Sequence, residues 1–326
     1  MIRRIKDAVG GGPPGGIGIG DDTAVLTLTP GASLLATTDL LVEDVHFRRS
    51  WASPYDIGWK TMAVNLSDIA AMGGVPRWAL VALALPPTVD VADVDALYLG
   101  LRDAAAPHGV VVVGGDSSAS PSGWMIDVTL LGEHTGAPKL RSAARAGDAV
   151  AVTGTLGRSA AGLSLLDASK SPARVDGPTR NVLEDAHLRP TPRLAEGRWL
   201  GDHPSVHAMI DLSDGLTTDL GHICRESGVG ARIELEAVPV ASATGEAARA
   251  LGVDALTWAT GGGEDYELLL TCDPGSAAAL TRGLLAATGT VLTVIGRVEV
   301  GEATVTYLDA HGESIVMRSG YQHFDG

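Results

Sequence analysis

Acidic residues recur in one kind of setting along this chain of 326 residues. Each of them follows an apolar strand, stands in a glycine-rich turn, or lies on an apolar helix, and none of these settings is typical of a solvated surface charge. The acids are Asp21, Asp22, Asp39, Asp68, Asp116, Asp211, Asp214 and Glu264. Mg²⁺ prefers oxygen ligands and bridges protein carboxylates to phosphates. The pattern therefore indicates a site for several magnesium ions and a polyphosphate ligand.

Asp68 has the most regular of these settings. Ser53 is suited to cap a helix, and the pair Gly73–Gly74 is suited to end it. Within that helix Thr61, Asn65 and Asp68 fall at i, i+4 and i+7 and share one face, whereas the other positions are almost all apolar. A helix that is apolar nearly all round is buried, so its carboxylate must be paired, hydrogen-bonded or bound to metal. An Asp68 that only satisfies a neighbouring backbone turn is the open alternative.

Three other acidic stretches follow predicted strands. The strand 33–36 ends in Thr37-Thr38-Asp39, and hydroxyl and carboxylate oxygens together suit a hard cation. The strand 110–113 runs into Gly114-Gly115-Asp116, where glycines allow a ligand to approach the backbone and expose N–H groups to phosphate. Asp211 and Asp214 close the strand 207–212. We expect these oxygens to contribute to the same kind of site.

Some residues have two readings from sequence alone. Arg141, in the linker 136–148, is either a phosphate clamp or a solvated charge. The turn 153–158, which leads into a helix, either binds an anion at the helix N-terminus or is an ordinary strand-to-helix connection. His46 stands beside Phe47, and a lone histidine is more often packed than functional. The glycine-rich arm 10–16 matches neither a Walker A loop nor a dinucleotide fingerprint.

Composition narrows the class of protein. The chain is 45% hydrophobic with 42 glycines, which is typical of a globular protein of one or two domains. The net charge of −15 argues against nucleic acid as a partner, although magnesium can still mediate binding of a small phosphate ligand. Two cysteines suit neither a disulfide framework nor a zinc site. With no signal-peptide pattern and no apolar run of spanning length, we expect a cytoplasmic protein that does not enter a membrane.

Taken in order, the motifs resemble the thiamine-monophosphate kinase family over nearly the whole chain. In the first half the matching segments are Gly-Ile-Gly-Asp-Asp (18–22), Thr-Thr-Asp-Leu-Leu-Val-Glu with Val-His-Phe (37–47), Ala-Val-Asn-Leu-Ser-Asp-Ile-Ala-Ala-Met-Gly (63–73) and Gly-Gly-Asp (114–116). In the second half they are Val-Thr-Gly-Thr-Leu-Gly-Arg-Ser-Ala-Ala-Gly-Leu (152–163), His-Leu-Arg-Pro-Thr-Pro-Arg (187–193), Ile-Asp-Leu-Ser-Asp-Gly-Leu (210–216), Gly-Gly-Glu-Asp-Tyr-Glu-Leu (262–268) and Gly-Tyr-Gln-His-Phe (320–324).

The resemblance implies ATP-dependent phosphorylation of thiamine phosphate to thiamine diphosphate. It implies magnesium ligands at Asp22, Thr37, Thr38, Asp39, Asp68, Asp116, Asp211 and Asp214. It implies ATP contacts at Tyr98, Gly115, Asp116, Arg141 and Ser213, and thiamine phosphate contacts at His46, Glu264 and Tyr321. Cofactors are then several Mg²⁺ ions with ATP as co-substrate, and K⁺ is a further candidate cation. No catalytic base or nucleophile is expected, because the acceptor is a phosphate oxygen that is already largely ionised.

The same resemblance implies the two-domain fold of aminoimidazole ribonucleotide synthetase. Residues 1–137 would form an N-terminal α+β domain with a mixed sheet that binds ATP and magnesium and dimerises through that sheet, and residues 138–326 a C-terminal α/β domain. The expected assembly is a homodimer. The chain departs from the family pattern at Asp44, where glycine is usual, at Ser117-Ser118 in place of Thr-Thr, and at Ala143 in place of glycine. None of these changes removes an expected magnesium ligand.

Two alternatives remain within this fold. One is a nucleotide- or metal-binding regulator without activity, and the other is a different ATP-dependent enzyme. A further open point is His46: Asp44 is its nearest acidic neighbour, and on a strand the two side chains would face the same side. That arrangement would leave a phosphohistidine intermediate as the alternative to direct transfer.

Overall fold

The computed structural model describes residues 2–9, 12–13, 16–19, 22–167, 175–317 and 320. The chain divides into two compact units. The first comprises Met1–Ile69 and Gly74–Ala137, and the second comprises Ala70–Gly73 and Pro138–Gly326. None of the described helices has both the length and the apolar character needed to cross a bilayer.

The first unit packs helices on a four-stranded sheet. Its elements in chain order are α1 (Ile2–Val9), β1 (Ser33–Val42), most of α2 (Pro54–Ala71), β2 (Val75–Leu85), α3 (Val91–Ala105), β3 (Val111–Ala119) and β4 (Met125–His134). The strand order is β1-β4-β2-β3, with β2 and β3 parallel and the other neighbours antiparallel. The mixed sheet expected from the sequence is therefore present.

The predicted start of α2 has a sequence-encoded cap. The Ser53 hydroxyl accepts the backbone N–H of Asp56 (3.2 Å), and the Asp56 carboxylate accepts the backbone N–H of Ser53 (3.2 Å). This reciprocal pair is a capping box, with aspartate in the position that glutamate often takes. It fixes the first turn of the helix that carries Asp68.

Strand alternation separates the two faces of this sheet. Ile126, Val128 and Leu130 of β4 are fully buried on one face. In register with them on β1 stand Leu41, Asp39 and Thr37, so these three share the buried face. The other face carries Leu34, Leu40 and Met125, which are 50%, 52% and 38% exposed. The sheet thus leaves one face open to solvent in the single chain, and this face carries Thr38 and Asp127 beside its apolar side chains.

The second unit is built on a seven-stranded sheet. Its helices are α4 (Arg158–Leu166), α5 (Gly177–Leu188), α6 (Leu194–Gly201), α7 (Leu216–Ser227), α8 (Ser242–Leu251), α9 (Ala255–Gly261) and α10 (Ala277–Thr288). Its strands are β5 (Ala149–Thr153), β6 (Val206–Asp211), β7 (Gly230–Glu234), β8 (Leu268–Cys272), β9 (Leu292–Glu299), β10 (Val305–Leu308) and β11 (Ser314–Ile315), in the order β11-β10-β7-β9-β5-β8-β6. The fully buried strands β5 and β8 lie in its interior and form its core with helix α7.

Candidate functional site

In the first unit, strand register and helix face bring several expected ligands together. Thr37 and Asp39 lie on the buried face of β1, and the Thr37 hydroxyl donates a hydrogen bond to Oδ2 of Asp68 on α2. Burial, together with the charges of Asp68 and Asp127, raises the pKa of Asp39 to about 7. Carboxylates this close repel one another, which is the electrostatic setting that a divalent cation relieves.

Asp127 is an acid that the sequence analysis missed. It stands on β4, in register with Leu40, and its Oδ1 accepts the Thr38 hydroxyl at 2.9 Å. Thr38 also lies 3.2 Å from the hydroxyl of Thr129. The sequence pattern does mark Asp127 and Thr129 as the polar members of an alternating strand. Only the pairing of β1 with β4 shows that both residues lie next to Thr38. We call Thr37, Thr38, Asp39, Asp68 and Asp127 the N-terminal acidic cluster.

The other two residues of the polar stripe on α2, Thr61 and Asn65, form hydrogen bonds with the backbone of their own helix. The Thr61 hydroxyl donates to the carbonyl of Ile57 (2.7 Å), and the Asn65 amide donates to the carbonyl of Thr61 (3.0 Å). Both residues are completely buried. Within the described residues, Asp68 is therefore the member of the stripe whose side chain reaches the sheet. The helix pattern located the stripe correctly but could not separate these roles.

Gly114, Gly115 and Asp116 lie inside β3 and not after its end, so the expected strand end at residue 113 is wrong. Gly115 has φ +153°, and a Cβ there would lie 1.9 Å from the carbonyl oxygen of Val81, so no larger residue fits. Asp116 is exposed, and its Oδ1 accepts the backbone N–H of Ser117 at 2.8 Å. Asp22 is exposed as well.

Tyr98 lies in the core of the first unit. It is 3% exposed on α3, and burial raises the pKa of its hydroxyl to about 12. A contact with ATP, as the resemblance implies, stays a prediction for this residue. Tyr321, expected to contact thiamine phosphate, lies outside the described residues.

His46 and Asp44 stand in a tight turn and not on a strand, so the expectation that they face the same side is wrong. Asp44 has φ +66°, the left-handed conformation that explains why glycine is usual there. Its carboxylate lies 3.9 Å from Arg48. Nδ1 of His46 accepts the backbone N–H of Val42 at 3.1 Å. The neutral ring therefore carries its proton on Nε2, which makes that atom a hydrogen-bond donor and not a nucleophile.

In the second unit, a second group of acids follows β6. Asp211 is buried at the strand end, and Asp219 in the first turn of α7 accepts the backbone N–H groups of Asp214 (3.1 Å) and Gly215 (3.0 Å). Burial raises the pKa of Asp219 to about 8, assisted by the charges of Asp211 and Asp214. We call Asp211, Asp214 and Asp219 the C-terminal acidic cluster. Asp219 was missed because its link to Asp214 depends on how the chain turns into α7.

His222 and Arg141 border this cluster. Ligand atoms of Asp214, Asp219 and His222 lie within 4.8 Å of one another. However, Nδ1 of His222 lies 2.8 Å from the guanidinium of Arg225, which can only donate, so the neutral ring carries its proton on Nε2. Burial lowers the pKa of His222, and the charges of Arg225 and Arg141 lower it further. Arg141 thus lies close enough to α7 for its positive charge to lower the pKa of His222, which neighbours Asp214.

The turn that could have bound an anion is already occupied by the chain itself. Asp265 accepts the backbone N–H groups of Gly157 (2.5 Å) and Ser159 (3.1 Å) at the start of α4. An internal carboxylate at a helix N-terminus satisfies its free N–H groups and interacts favourably with the helix dipole. The second reading of this turn, a structural connection, is therefore the one that its geometry supports.

Glu264 is held next to Ser213 in a strained backbone conformation. Its φ is +65°, unusual for a residue other than glycine, and its N–H donates to the carbonyl of Ser213 at 2.7 Å. Non-glycine residues in this region are found where the surroundings impose them, and such positions cluster at functional sites. The side chain is 26% exposed and lies 3.2 Å from Nδ1 of His187.

The donor set fits magnesium. Both clusters supply carboxylate oxygens, the first adds threonine hydroxyls, and each holds a carboxyl whose pKa is raised partly by neighbouring negative charge. When bound there, magnesium would supply positive charge against the oxygens of a polyphosphate.

Comparison with known proteins identifies both halves of the chain. Residues 20–134 match the family described as AIR synthase related protein, N-terminal domain, and residues 145–309 match AIR synthase related protein, C-terminal domain. The thiamine-monophosphate kinase of Bacillus subtilis (strain 168) is 36% identical over 310 residues, which cover 94% of this chain and 93% of the relative.

Solved structures give the same assignment. Thiamine-monophosphate kinase from Stenotrophomonas maltophilia K279a matches with a TM-score of 0.81 and 36% identity over 92% of each chain. The structure described as AaThiL complexed with AMPPCP and TMP matches with a TM-score of 0.80 and 37% identity, over 92% of this chain and 90% of the other.

Proposed function

This chain belongs to the AIR synthase related family and, within it, to the thiamine-monophosphate kinases, and on that premise we propose that it transfers the γ-phosphoryl group of ATP to thiamine phosphate. The products are thiamine diphosphate and ADP. The observation that carries the proposal is the pair of acidic clusters, one in each unit, in which burial and neighbouring carboxylates raise the pKa of Asp39 and of Asp219. Charge packed in this way suits bound Mg²⁺ and, through it, two phosphate groups.

We assign the roles by motif and by position. Magnesium would be held by the N-terminal acidic cluster with Asp22 and Asp116, and by the C-terminal acidic cluster. Gly115, Arg141 and Ser213 would contact ATP, and His46 and Glu264 would contact thiamine phosphate. Support comes from the forced glycine at 115, the charge of Arg141 beside Asp214, and the Nε2–H that His46 can donate to a phosphate oxygen.

The test of this function is direct. Purified protein is incubated with ATP, MgCl₂ and thiamine phosphate, and thiamine diphosphate and ADP are quantified by chromatography. We expect equal amounts of both products. Tight binding of ATP and thiamine phosphate without product would instead indicate the non-catalytic regulator, and ADP formation that does not depend on thiamine phosphate would indicate another enzyme of this fold.

The transfer needs no base from the protein. A phosphate monoester has a second pKa near 6, so the attacking oxygen is already ionised at neutral pH. The new bond joins that oxygen to the γ-phosphorus as the bond to the β–γ bridging oxygen breaks. The protein must bring two anionic groups together in line and offset their repulsion. His46 can donate a proton to a phosphate oxygen through Nε2, and with Nδ1 accepting a backbone N–H it is not placed as a nucleophile.

We therefore predict inversion at phosphorus. With ATP made chiral and isotopically labelled at the γ-phosphorus, a single displacement inverts the configuration in thiamine diphosphate. Phosphorus NMR of the product reports the outcome. Net retention, or phosphohistidine at His46 trapped in an acid-free quench, would replace direct transfer by a two-step route.

We also propose that the working form is a homodimer joined through the open face of the first unit's sheet. A row of register partners crosses that sheet from Leu40 through Asp127 and Ala82 to Asp116. Strands lie about 4.8 Å apart, so Asp116 on one edge stands roughly 14 Å from β1 on the other. One chain cannot bring Asp116 and Thr38 to the same ion, whereas a second sheet facing the first can.

The dimer is predicted to depend on the apolar side chains of this face. We expect Leu40→Glu to convert the protein to monomer, because it replaces an apolar contact with a charge next to Asp127, the register partner of Leu40. Light scattering at micromolar concentration measures the mass. Leu163→Glu on α4 is the matched control, since Leu163 is also exposed (40%) but lies in the other unit. A wild-type monomer with full activity, or equal loss of mass in both variants, would exclude this interface.

The raised pKa values predict a pH dependence in the absence of magnesium. Asp39 titrates near 3.9 when unfolded and about 7 when folded, so between these values the folded state binds a proton that the unfolded state lacks. Its stabilising contribution is complete below pH 4 and is lost as the pH rises through 7. Asp219 behaves likewise up to about 8. Between pH 6 and pH 8 these two groups together should lower the free energy of unfolding by about 3–4 kcal/mol.

Urea denaturation at pH 6, 7 and 8, in EDTA and in 10 mM MgCl₂, checks this dependence. Magnesium should flatten the slope, because it replaces the protons. Asp39→Asn and Asp219→Asn should each flatten it in EDTA. A slope that persists in the double variant would assign it to other groups.

A further inference from the structure

Three acids in four residues follow the glycines at 261–263, and their roles differ. Asp265 accepts two backbone N–H groups at the start of α4. Glu267 is completely buried and is bound by Arg193, with N–O distances of 2.7 and 2.6 Å. Glu264 is partly exposed (26%) and lies next to the imidazole of His187, which is 4% exposed. The two inner acids secure the segment, whereas the first can meet a ligand.

The contact between His187 and Glu264 fixes the position of a proton. Nδ1 of His187 lies 3.2 Å from Oε2 of Glu264 and 3.0 Å from the hydroxyl of Ser159. An ionised carboxylate can only accept, so Nδ1 must carry the hydrogen in this contact. Such a charge-assisted hydrogen bond is stronger than a neutral one.

We propose that His187 is a positioning residue: through Nδ1–H it holds the Glu264 carboxylate in the orientation that meets the thiazolium cation of thiamine phosphate. The inference rests on the function proposed above. A glutamate side chain loses conformational entropy when it is fixed in one orientation. A site that holds the carboxylate beforehand removes part of that cost from binding.

The imidazole is itself fixed from two sides. Ser159 belongs to the first turn of α4, whose N-terminus is anchored by Asp265. His187 lies in the last turn of α5, and six residues later Arg193 is tied to Glu267. The segments 152–163 and 187–193, which matched the family without an assigned role, therefore meet at Glu264. Their common effect is to support one carboxylate.

The test compares three variants of His187 by calorimetric binding and by kinetics. His187→Ala should raise the Kd and the KM for thiamine phosphate about 10-fold, with less than a 2-fold change for a non-hydrolysable ATP analogue. His187→Asn places an amide N–H near the position of Nδ1–H and should restore thiamine phosphate binding to within about 3-fold of wild type. His187→Gln, whose amide reaches further, should not.

A matched histidine controls for stability. Nδ1 of His207 lies 2.9 Å from a carboxylate oxygen of Asp148, in the same unit but on β6. His207→Ala should lower the melting temperature while leaving the Kd for thiamine phosphate unchanged. If His187→Ala and His207→Ala shift melting alike and neither shifts this Kd, His187 is only structural and the proposal is wrong.

A double-mutant cycle separates this proposal from the proposed function. In a Glu264→Ala background there is no carboxylate to position, so His187→Ala should cause no further loss of thiamine phosphate binding. A further 10-fold loss would overturn the positioning role. If the wild-type protein binds thiamine phosphate and Glu264→Ala changes nothing, the Glu264 assignment fails and the positioning role with it. If the wild type does not bind thiamine phosphate at all, the proposed function fails first.

Discussion

Replacing Asp68 with asparagine is expected to abolish phosphoryl transfer, by at least about 10³-fold in kcat, in a protein that still folds. Asparagine has nearly the same shape, and its amide oxygen can still accept the hydrogen bond from Thr37. The substitution therefore removes one negative charge and little else. Loss of a single preorganised electrostatic contact in an active site commonly costs 10²–10³-fold, and a carboxylate shared by more than one ion costs more.

A second readout makes this prediction sharper. The charge of Asp68 is one of the causes that raise the pKa of Asp39. In Asp68→Asn that cause disappears, so the pKa of Asp39 should fall and the metal-free protein should lose part of its pH dependence. Activity is measured at several magnesium concentrations, and folding by circular dichroism. Asp103→Asn, a surface carboxylate of the same unit that accepts from Tyr55, is the control and should keep full activity.

Near-normal turnover of folded Asp68→Asn at limiting magnesium would contradict the metal role. It would favour the alternative in which Asp68 only accepts the Thr37 hydroxyl as part of the packing of α2 on the sheet. Thr37→Val, which removes the hydroxyl but keeps the Asp68 charge, is the variant for comparison. Under the metal hypothesis Thr37→Val retains more activity than Asp68→Asn, whereas under the packing alternative it loses more, because only Thr37→Val breaks the hydrogen bond.

Local patterns predicted the parts of the site that are local. The capping residue Ser53, the helix it starts and the shared face of Thr61, Asn65 and Asp68 all follow from spacing within one element. What that spacing could not show is that Thr61 and Asn65 bond to their own helix while Asp68 reaches β1. That distinction depends on where the sheet lies, which is a matter of tertiary packing.

Long-range pairing explains the acids that were missed. Asp127 enters the N-terminal acidic cluster because β4 pairs with β1, which lies about 90 residues away in the chain. Strand β1 itself runs through Thr37-Thr38-Asp39 to Val42 and does not end at residue 36. The polar run Thr37-Thr38-Asp39 was the reason for expecting the strand to end there. The alternation of buried and exposed side chains along 37–42 can be recognised only once the pairing with β4 shows which face of the sheet is buried.

Backbone conformation explains two further surprises. Asp44 and Glu264 both adopt a backbone φ near +65°, a conformation that the chemical nature of neither side chain requires. Asp44 was expected on a strand beside His46. In the left-handed turn the two side chains have different partners: the Asp44 carboxylate lies near Arg48, and the His46 ring accepts the backbone N–H of Val42. The usual glycine of the family at position 44 was the available signal, since glycine marks a turn of this kind.

Replacing Glu267 with glutamine is expected to destabilise the second unit by about 3–5 kcal/mol. Glu267 is 0% exposed and accepts two hydrogen bonds from Arg193, one from Arg158 (3.2 Å) and one from the Thr153 hydroxyl (2.7 Å). Its charge helps to raise the pKa of Arg193, which is itself mostly buried. Glutamine turns one acceptor into an N–H that faces a guanidinium, and leaves the buried charge of Arg193 with Glu196, at 3.9 Å, in place of its close carboxylate partner. Breaking a buried pair in this way carries that cost.

Urea denaturation measures the loss of unfolding free energy, and an exposed ion pair of the same unit serves as the reference. Glu299 meets Arg232 at 3.2 Å at the surface, with side chains 40% and 29% exposed, so Glu299→Gln should cost less than about 1 kcal/mol. Because Arg193 and the turn at Thr153 hold the segments that meet at Glu264, the Glu267 variant should also lose affinity for thiamine phosphate. A loss of stability no larger than that of Glu299→Gln would mean that Arg193 and Arg158 find other acceptors. In that case thiamine phosphate affinity should also be unchanged, because the support of Glu264 would not depend on this buried carboxylate.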